Sequence, residues 1–169
     1  MRGLIIYKSK YGSTEEYANW ISEETGFSKK SIKEVSKDDI NNAEIIIIGS
    51  PVMAGKYIIA GWLKKHWHEL KDKAVAFYSV CATDLKDTEQ IEKFWVASFS
   101  DDIRKAMRFF MFGGRKEFDK LSPVIKFMLK TVSKMEKDPK VKKELLMDVN
   151  NMNSDFIKPL IEYIDSLKS

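Results

Sequence analysis

Apolar residues along this chain follow two alternating periods, which predict a regular succession of strands and helices. Short apolar runs predict five strands, the second of them a weak edge strand, at residues 3–7, 30–35, 44–50, 73–80 and 107–114. Three- and four-residue spacing predicts helices at residues 13–25, 58–70, 88–105 and 154–167. Residues 36–40 are predicted as a connector or a short turn of helix.

This alternation predicts an α/β fold. Strands that alternate with helices form a parallel sheet with right-handed crossovers, and the helices cover both faces. Five such strands suit the doubly wound order 2-1-3-4-5, in which ligands bind beyond the carboxyl ends of the strands. The 169 residues are enough for one domain, in which residues 115–153 are an extra segment before the last helix.

The loop between the first strand and the first helix is rich in hydroxyls. Ser9, Ser13 and Thr14 surround Gly12, and backbone N–H groups at a helix N-terminus would add further donors for a phosphate. A nucleotide-hydrolysing P-loop would need Gly-Lys-Ser/Thr, and a dinucleotide fingerprint would need three glycines, so both are excluded. A phospho-receiver domain would need acids after the first strand, where this chain has lysines. A monophosphate cradle and an ordinary strand-to-helix turn remain the two alternatives.

Two more loops follow predicted strands and should meet the first loop at one crevice. Residues 50–57 and 79–83 are small and apolar, so their backbone groups can clamp a flat ring. A phosphate site beside a planar slot describes FMN.

Several segments carry a resemblance to known families. Residues 9–14, Ser-Lys-Tyr-Gly-Ser-Thr, resemble the flavodoxin phosphate loop, Thr/Ser-x-Thr-Gly-x-Thr, although Tyr11 replaces a smaller hydroxyl residue. Residues 48–57, 76–80 and 112–114 are similar to segments of the flavodoxin-like, quinone-dependent protoporphyrinogen oxidases, which also carry a long insert. The resemblance implies a flavodoxin-like fold, FMN as cofactor and oxidation of a porphyrinogen-like substrate.

The resemblance also implies which residues hold the cofactor. The FMN phosphate would be bound by Ser9, Lys10, Tyr11, Gly12, Ser13 and Thr14. One side of the isoalloxazine ring would meet Pro51, Val52, Met53, Ala54 and Gly55, and its pyrimidine end Ser79, Val80, Cys81 and Ala82. Tyr57 would either stack on the ring or pack at the start of a helix. No catalytic side chain is expected because the flavin carries the chemistry, and the spacing of His66 and His68 on one helix argues against a metal site.

The extra segment is basic and contains an amphipathic helix. The net charge is +4 overall, but residues 104–144 hold thirteen Lys and Arg against five Asp and Glu. Ser122-Pro123 begins a helix whose apolar face comprises Ile125, Met128, Leu129, Val132 and Met135, while Lys126, Lys130 and Lys134 line another face. The alternatives are packing on the sheet edge or a second subunit, covering a substrate site, and docking to an anionic membrane surface.

Two functions from different classes follow. The first is an FMN-dependent dehydrogenase that passes electrons from a large planar substrate to a quinone, and the second is a soluble flavodoxin-type electron carrier between redox partner proteins. The pI of about 9.0 argues against the usual acidic carrier. A fold module without flavin is a weaker third alternative.

The single Cys81 and the lack of an apolar run of about 18 residues predict a soluble cytoplasmic protein, peripheral at the membrane if the insert docks there. A homodimer is compatible with the sequence, and a nucleic-acid partner is not expected.

Overall fold

The computed structural model describes residues 1–82 and 85–168, and a five-stranded parallel sheet forms its centre. Its strands are β1 (Gly3–Tyr7), β2 (Ser28–Ser31), β3 (Ile45–Met53), β4 (Ala74–Cys81) and β5 (Met107–Gly113). They run in the order β2-β1-β3-β4-β5, and Ile5 of β1 pairs with Lys29 on one side and Ile47 on the other. The predicted doubly wound order is therefore confirmed.

Eight α-helices and two 3₁₀ helices connect the described strands. The α-helices are α1 (Ser13–Thr25), α2 (Lys37–Asn42), α3 (Ala60–Leu70), α4 (Thr88–Ser98), α5 (Asp101–Ala106), α6 (Pro123–Met135), α7 (Pro139–Leu146) and α8 (Lys158–Ser166). The 3₁₀ helices are Phe118–Lys120 and Ser154–Ile157. Among the described residues, none of these helices is long and apolar enough to cross a bilayer.

Apolar clusters cover both faces of the sheet. One contains Ile46, Ile48 and Phe77 with side chains of α3, α4 and α5, and the other contains Ile47 and Tyr78 with side chains of α1 and α8. Side chains at 45–48 are fully buried, as a central parallel strand requires. The core therefore lies in two layers, and the carboxyl ends of the strands remain free to form a site.

Several element boundaries differ from the sequence prediction. The edge strand spans Ser28–Ser31 instead of 30–35, because the carboxylate of Glu34 accepts hydrogen bonds from the N–H and hydroxyl of Ser31 and closes a turn there. The predicted 88–105 helix is interrupted at Phe99, whose backbone is extended (φ −133°, ψ 145°) and whose side chain is buried.

The predicted loop 50–57 is mainly a β-hairpin. Strand β3 continues to Met53, turns at Ala54 and Gly55, and pairs antiparallel with the two-residue strand Lys56–Tyr57. Ala54 and Gly55 both have positive φ, 50° and 78°, and these values allow the tight turn.

The last helix begins differently from the prediction. Asn153 instead of Ser154 caps this region, with its side-chain oxygen accepting from the N–H of Asp155, and a 3₁₀ turn precedes α8.

The extra segment at 115–153 is a folded insert. Its ends form an antiparallel ribbon, Arg115–Lys116 with Val149–Asn150. Ser122 caps α6 as predicted, because its hydroxyl accepts from the N–H of Ile125. The following helix α7 was not predicted, although Asp138 and Pro139 give the same cap-and-proline signal.

Tyr17 of α1 fixes both ends of the insert to the rest of the fold. Its hydroxyl donates to the carbonyl of Gly113 (2.7 Å) and accepts from the N–H of Asn153 (3.2 Å). Burial raises the pKa of this phenol to about 12, so it remains protonated and able to donate.

Candidate functional site

A cavity of about 300 Å³ lies at the carboxyl ends of β1, β3 and β4. One wall is the β1–α1 loop, a second is the end of β3 with its hairpin, and a third is the end of β4. The insert supplies the remaining wall, through the segment after β5 and through α6. The cavity therefore lies where a doubly wound sheet binds its ligands.

The β1–α1 loop is held in a fixed shape. The N–H of Gly12 donates to Ser9 Oγ (3.1 Å), and the carbonyl of Gly12 accepts the first hydrogen bond of α1 from Glu16. Gly12 has φ +91°, while a Cβ there would have only Arg115 Nη2 within 4 Å, at 3.9 Å. Glycine is therefore required at this position for its backbone conformation and not for space.

Two hydroxyls in this loop lack a partner. Ser13 Oγ and Thr14 Oγ1 are buried, line the cavity and form no hydrogen bond within the described part of the chain. A buried polar group without a partner costs roughly 1–3 kcal/mol. Both hydroxyls lie in the first turn of α1, where free backbone N–H groups and the helix dipole favour an anion. The donors present here fit the phosphate of FMN.

The other end of the cavity is narrow and apolar. Residues 51–54 and 80–82 line it, and Gly114 brings the segment after β5 against β4. The N–H of Gly114 donates to the carbonyl of Cys81 at 2.6 Å, and a Cβ at Gly114 would lie 2.9 Å from the Cys81 carbonyl carbon. Only glycine permits this close approach of two backbones. The apolar lining of this end of the cavity is suited to a flat ring.

Most of the predicted cofactor residues are brought together by the fold. Twelve of the fifteen line the cavity: Ser9, Lys10, Tyr11, Ser13, Thr14, Pro51, Val52, Met53, Ala54, Val80, Cys81 and Ala82. Gly12, Gly55 and Ser79 are absent from its lining, and Ser79 is 1% exposed. Thr83, the last residue of the third predicted loop, lies outside the described residues.

Tyr57 belongs to the core and not to the slot. It is 2% exposed, its ring stacks on Phe99, and its edge contacts are with Phe77 and Trp95. Burial raises the pKa of its hydroxyl well above the usual range. Of the two alternatives for Tyr57, packing in the core is therefore the one observed, although Tyr57 lies in the short strand of the hairpin and not at the start of a helix.

Sequence reasoning did not place the insert side chains in the site. The cavity is also lined by Gly114, Arg115, Lys116, Glu117, Lys120, Leu121, Ile125, Met128 and Leu129. The apolar spacing of α6 was the available signal for Ile125, Met128 and Leu129, and covering a substrate site was one of its three alternatives. The ribbon residues gave no comparable signal, because their position depends on the return of the chain at 149–150.

Cations of the insert line the cavity and are held by local partners. Arg115 lies 3.5 Å from Glu16 and 3.3 Å from Glu117. Lys116 donates to two carbonyls at the end of α7, and burial lowers the pKa of its ammonium group. Because cations outnumber acids in this lining, its electrostatic potential favours an anionic ligand.

Tyr11 joins the phosphate loop directly to the insert. Its hydroxyl accepts a hydrogen bond from the N–H of Ser122 (3.3 Å), the residue that caps α6. A serine or threonine at this position would be too short to span the same distance. The unusual residue of the loop is thus the one that connects it to the insert.

A known family model matches most of this chain. Residues 4–143 match a family model described as a flavodoxin domain. Among the curated proteins, none matches this chain.

Solved structures with similar chain paths include three bacterial or archaeal proteins. A flavodoxin from the domain Archaea is 20% identical, with a TM-score of 0.43, and the match covers 67% of this chain and 85% of that one. A flavodoxin, WrbA-like protein from Agrobacterium tumefaciens is 18% identical, with a TM-score of 0.48 and coverage of 72% and 80%. A flavoprotein in complex with FMN from Lactobacillus acidophilus NCFM is 22% identical, with a TM-score of 0.46 and coverage of 67% and 92%.

Proposed function

Because this chain belongs to the flavodoxin domain family, we propose that it is an FMN-dependent oxidoreductase that oxidises a large planar substrate. FMN supplies the hydride and electron transfer when bound, so the residues of the chain are required to bind, orient and shield it. The observation that carries the proposal is that one cavity is lined at one end by hydroxyls with no hydrogen-bond partner among the described residues and at the other end by a helix of the insert.

The β1–α1 loop would hold the phosphate of FMN. The hydroxyls of Ser13 and Thr14 donate to phosphate oxygens, together with backbone N–H groups of the first turn of α1. Ser9 keeps the loop in shape through its bond from the N–H of Gly12. These contacts require no lysine or arginine to touch the phosphate.

The apolar slot would orient the flavin ring and exclude water. Residues 51–54 and 80–82 provide its walls, and Ile125, Met128 and Leu129 of α6 close it from the insert side. An apolar wall contributed by an insert favours a substrate that is large and flat, since such a substrate buries apolar area against both the ring and α6.

The identity of the substrate and of the electron acceptor is inferred from sequence resemblance. We infer a porphyrinogen-like compound, with a quinone as electron acceptor, from the resemblance of residues 48–57 and 76–80 to the flavodoxin-like protoporphyrinogen oxidases. The cations of the cavity lining support this inference, because Lys10, Arg115 and Lys120 would attract the carboxylates of such a substrate.

The first test is the visible absorption spectrum of the purified protein. A flavin spectrum is expected, with FMN released on denaturation. A protein that binds no FMN even when it is added in excess would contradict the proposal.

The second test separates the enzyme from the electron carrier. Anaerobic photoreduction is expected to proceed in one two-electron step, and turnover is expected with a porphyrinogen and a quinone. Reduction in two well-separated one-electron steps, with no turnover, would instead support an electron carrier between protein partners.

A further inference from the structure

Helix α6 exposes a second set of apolar side chains that the cavity does not use. Val124, Phe127 and Met135 are 76%, 73% and 78% exposed, and Val132 is 44% exposed. Residues 124, 127 and 135 fall on one stripe of the helix, which borders Met128 of the cavity lining, and Phe127 lies on the side opposite to Leu129. Large apolar side chains rarely stand together in water without a binding role.

Lysines with free charges lie beside this stripe. Within residues 1–82 and 85–168, no ion pair involves Lys130, Lys134, Lys137, Lys140, Lys142 or Lys143. Some lysines elsewhere pair with acids, as Lys30 does with Asp39 at 2.8 Å and Lys93 with Glu89 at 2.7 Å. The charges of the insert are therefore available to an external partner.

Two acids that lie among these lysines in the sequence accept backbone hydrogen bonds. Glu136 Oε1 accepts from the N–H groups of Lys137 and Asp138, and Asp138 Oδ1 accepts from the N–H of Lys140 at the start of α7. Residues 130–144 hold six lysines against three acids, so positive charge is in excess on this part of the insert.

We propose that this face, comprising Val124, Phe127, Met135, Lys130 and Lys134, docks the protein to the surface of an anionic lipid bilayer. The apolar side chains enter the boundary between headgroups and acyl chains, while the lysines meet lipid phosphates. A second copy of this chain would bring an equally basic face against the first, and like charges would oppose that pairing. This inference goes beyond the proposed oxidoreductase function.

The test is co-sedimentation of the purified protein with two kinds of vesicle. Binding is expected to vesicles of phosphatidylcholine mixed with phosphatidylglycerol, to fall as salt is raised, and to be weak with phosphatidylcholine alone. The double variant Lys130→Glu and Lys134→Glu is expected to lose about tenfold or more in affinity, since each cation near an anionic surface contributes roughly 1 kcal/mol. Phe127→Gln is expected to weaken binding at every salt concentration.

Matched controls carry the same changes elsewhere. Lys64→Glu with Lys65→Glu alters charge by the same amount on α3, and Val96→Gln removes a half-exposed apolar side chain from α4. Both control variants should bind vesicles as the unmodified protein does. Equal loss in the test and control variants would overturn the assignment, as would failure of the unmodified protein to bind anionic vesicles.

Docking to lipid must also be distinguished from self-association of the chain through the same face. A dimer that forms without lipid and is abolished by Phe127→Gln would identify the face as an interface between copies and overturn the lipid proposal. The vesicle measurement does not depend on bound FMN or turnover. Its failure is therefore distinguishable from failure of the proposed oxidoreductase function.

Discussion

Two hydroxyls, those of Ser13 and Thr14, are buried at the first turn of α1 without a hydrogen-bond partner among the residues that the structure describes. Their residue types could be predicted as phosphate ligands from the loop alone, because hydroxyls and a glycine precede an amphipathic helix. Their lack of partners could not be predicted, since it depends on how α1 packs against β4 and the insert. That lack of partners favours a phosphate cradle over an ordinary turn.

Removing these hydroxyls should weaken FMN binding without destabilising the apoprotein. For Ser13→Ala with Thr14→Val, we expect at least a tenfold loss of FMN affinity, because a hydrogen bond to a charged group is worth roughly 1.5–3 kcal/mol. The thermal midpoint of the apoprotein should stay level or rise, since unsatisfied buried groups are removed. Fluorescence titration with FMN and thermal unfolding measure the two quantities.

The control for this experiment is Thr25→Val at the opposite end of α1. Its hydroxyl donates to the carbonyl of Ile21, so this variant should lose stability and keep its FMN affinity. Unchanged affinity in the Ser13 and Thr14 double variant would remove the phosphate role from this loop.

Gly12 allows a second prediction, which depends on its backbone conformation. Gly12→Val should cost about 1–2 kcal/mol of unfolding free energy because φ is +91° there, whereas Gly12→Asn should cost less, since asparagine tolerates the left-handed region. Urea unfolding of the two apoprotein variants provides the comparison. Equal losses in both would show that conformation is not the reason for glycine at this position.

Among the helices and strands, those that depend on local sequence pattern were predicted, and those that depend on tertiary contacts were not. The cap of α6 by Ser122 and the central strand β3 depend on local pattern, and both were predicted. The hairpin after Met53 and the break at Phe99 depend on tertiary packing, because Tyr57 and Phe99 stack in the same aromatic cluster. Helix α7 was not predicted, although Asp138 and Pro139 are a local signal for its start. The insert wall of the cavity depends on a long-range return of the chain, which periodicity does not reveal.

The hydrogen bond between Tyr11 and Ser122 should stabilise the start of α6. Tyr11→Phe removes the acceptor for the N–H of Ser122 and should loosen the start of α6 by about 0.5–1.5 kcal/mol. Hydrogen–deuterium exchange should speed up in peptides covering 118–135 and stay unchanged in peptides from the sheet. Tyr163→Phe, which removes a hydroxyl from α8, is the control, and identical exchange at 118–135 in both variants would refute the link.

For the whole molecule, acid should be the destabilising direction of pH. Several carboxylates have a lowered pKa, among them Glu34, Glu69 and Asp101, chiefly through side-chain hydrogen bonds to Ser31, His66 and Lys105 respectively. Asp39 is held at a pKa of about 2, first by the ammonium of Lys30 and then by the hydroxyl and N–H of Ser36.

The sign of the effect follows from linkage. An aspartate in an unfolded chain has a pKa of about 3.9, so the contribution of Asp39 is fully present above that pH and is lost as pH falls through about 2. Asp39→Asn should therefore flatten the fall of the thermal midpoint between about pH 4 and 2. Asp38→Asn on the same helix is the control, and an unchanged slope in Asp39→Asn would contradict the prediction.

The phenol of Tyr17 has a consequence for how this molecule can be altered. It binds the carbonyl of Gly113 and the N–H of Asn153, so the chain leaves the sheet and returns to it at points joined by one side chain. The ribbon at 115–116 and 149–150 brings the two backbones together again just beyond. Long excursions between adjacent anchor points cost little closure entropy. The insert is therefore an exchangeable module: a different excursion could be grafted between the same anchors, giving a new specificity while the cradle at Ser13 and Thr14 is inherited unchanged.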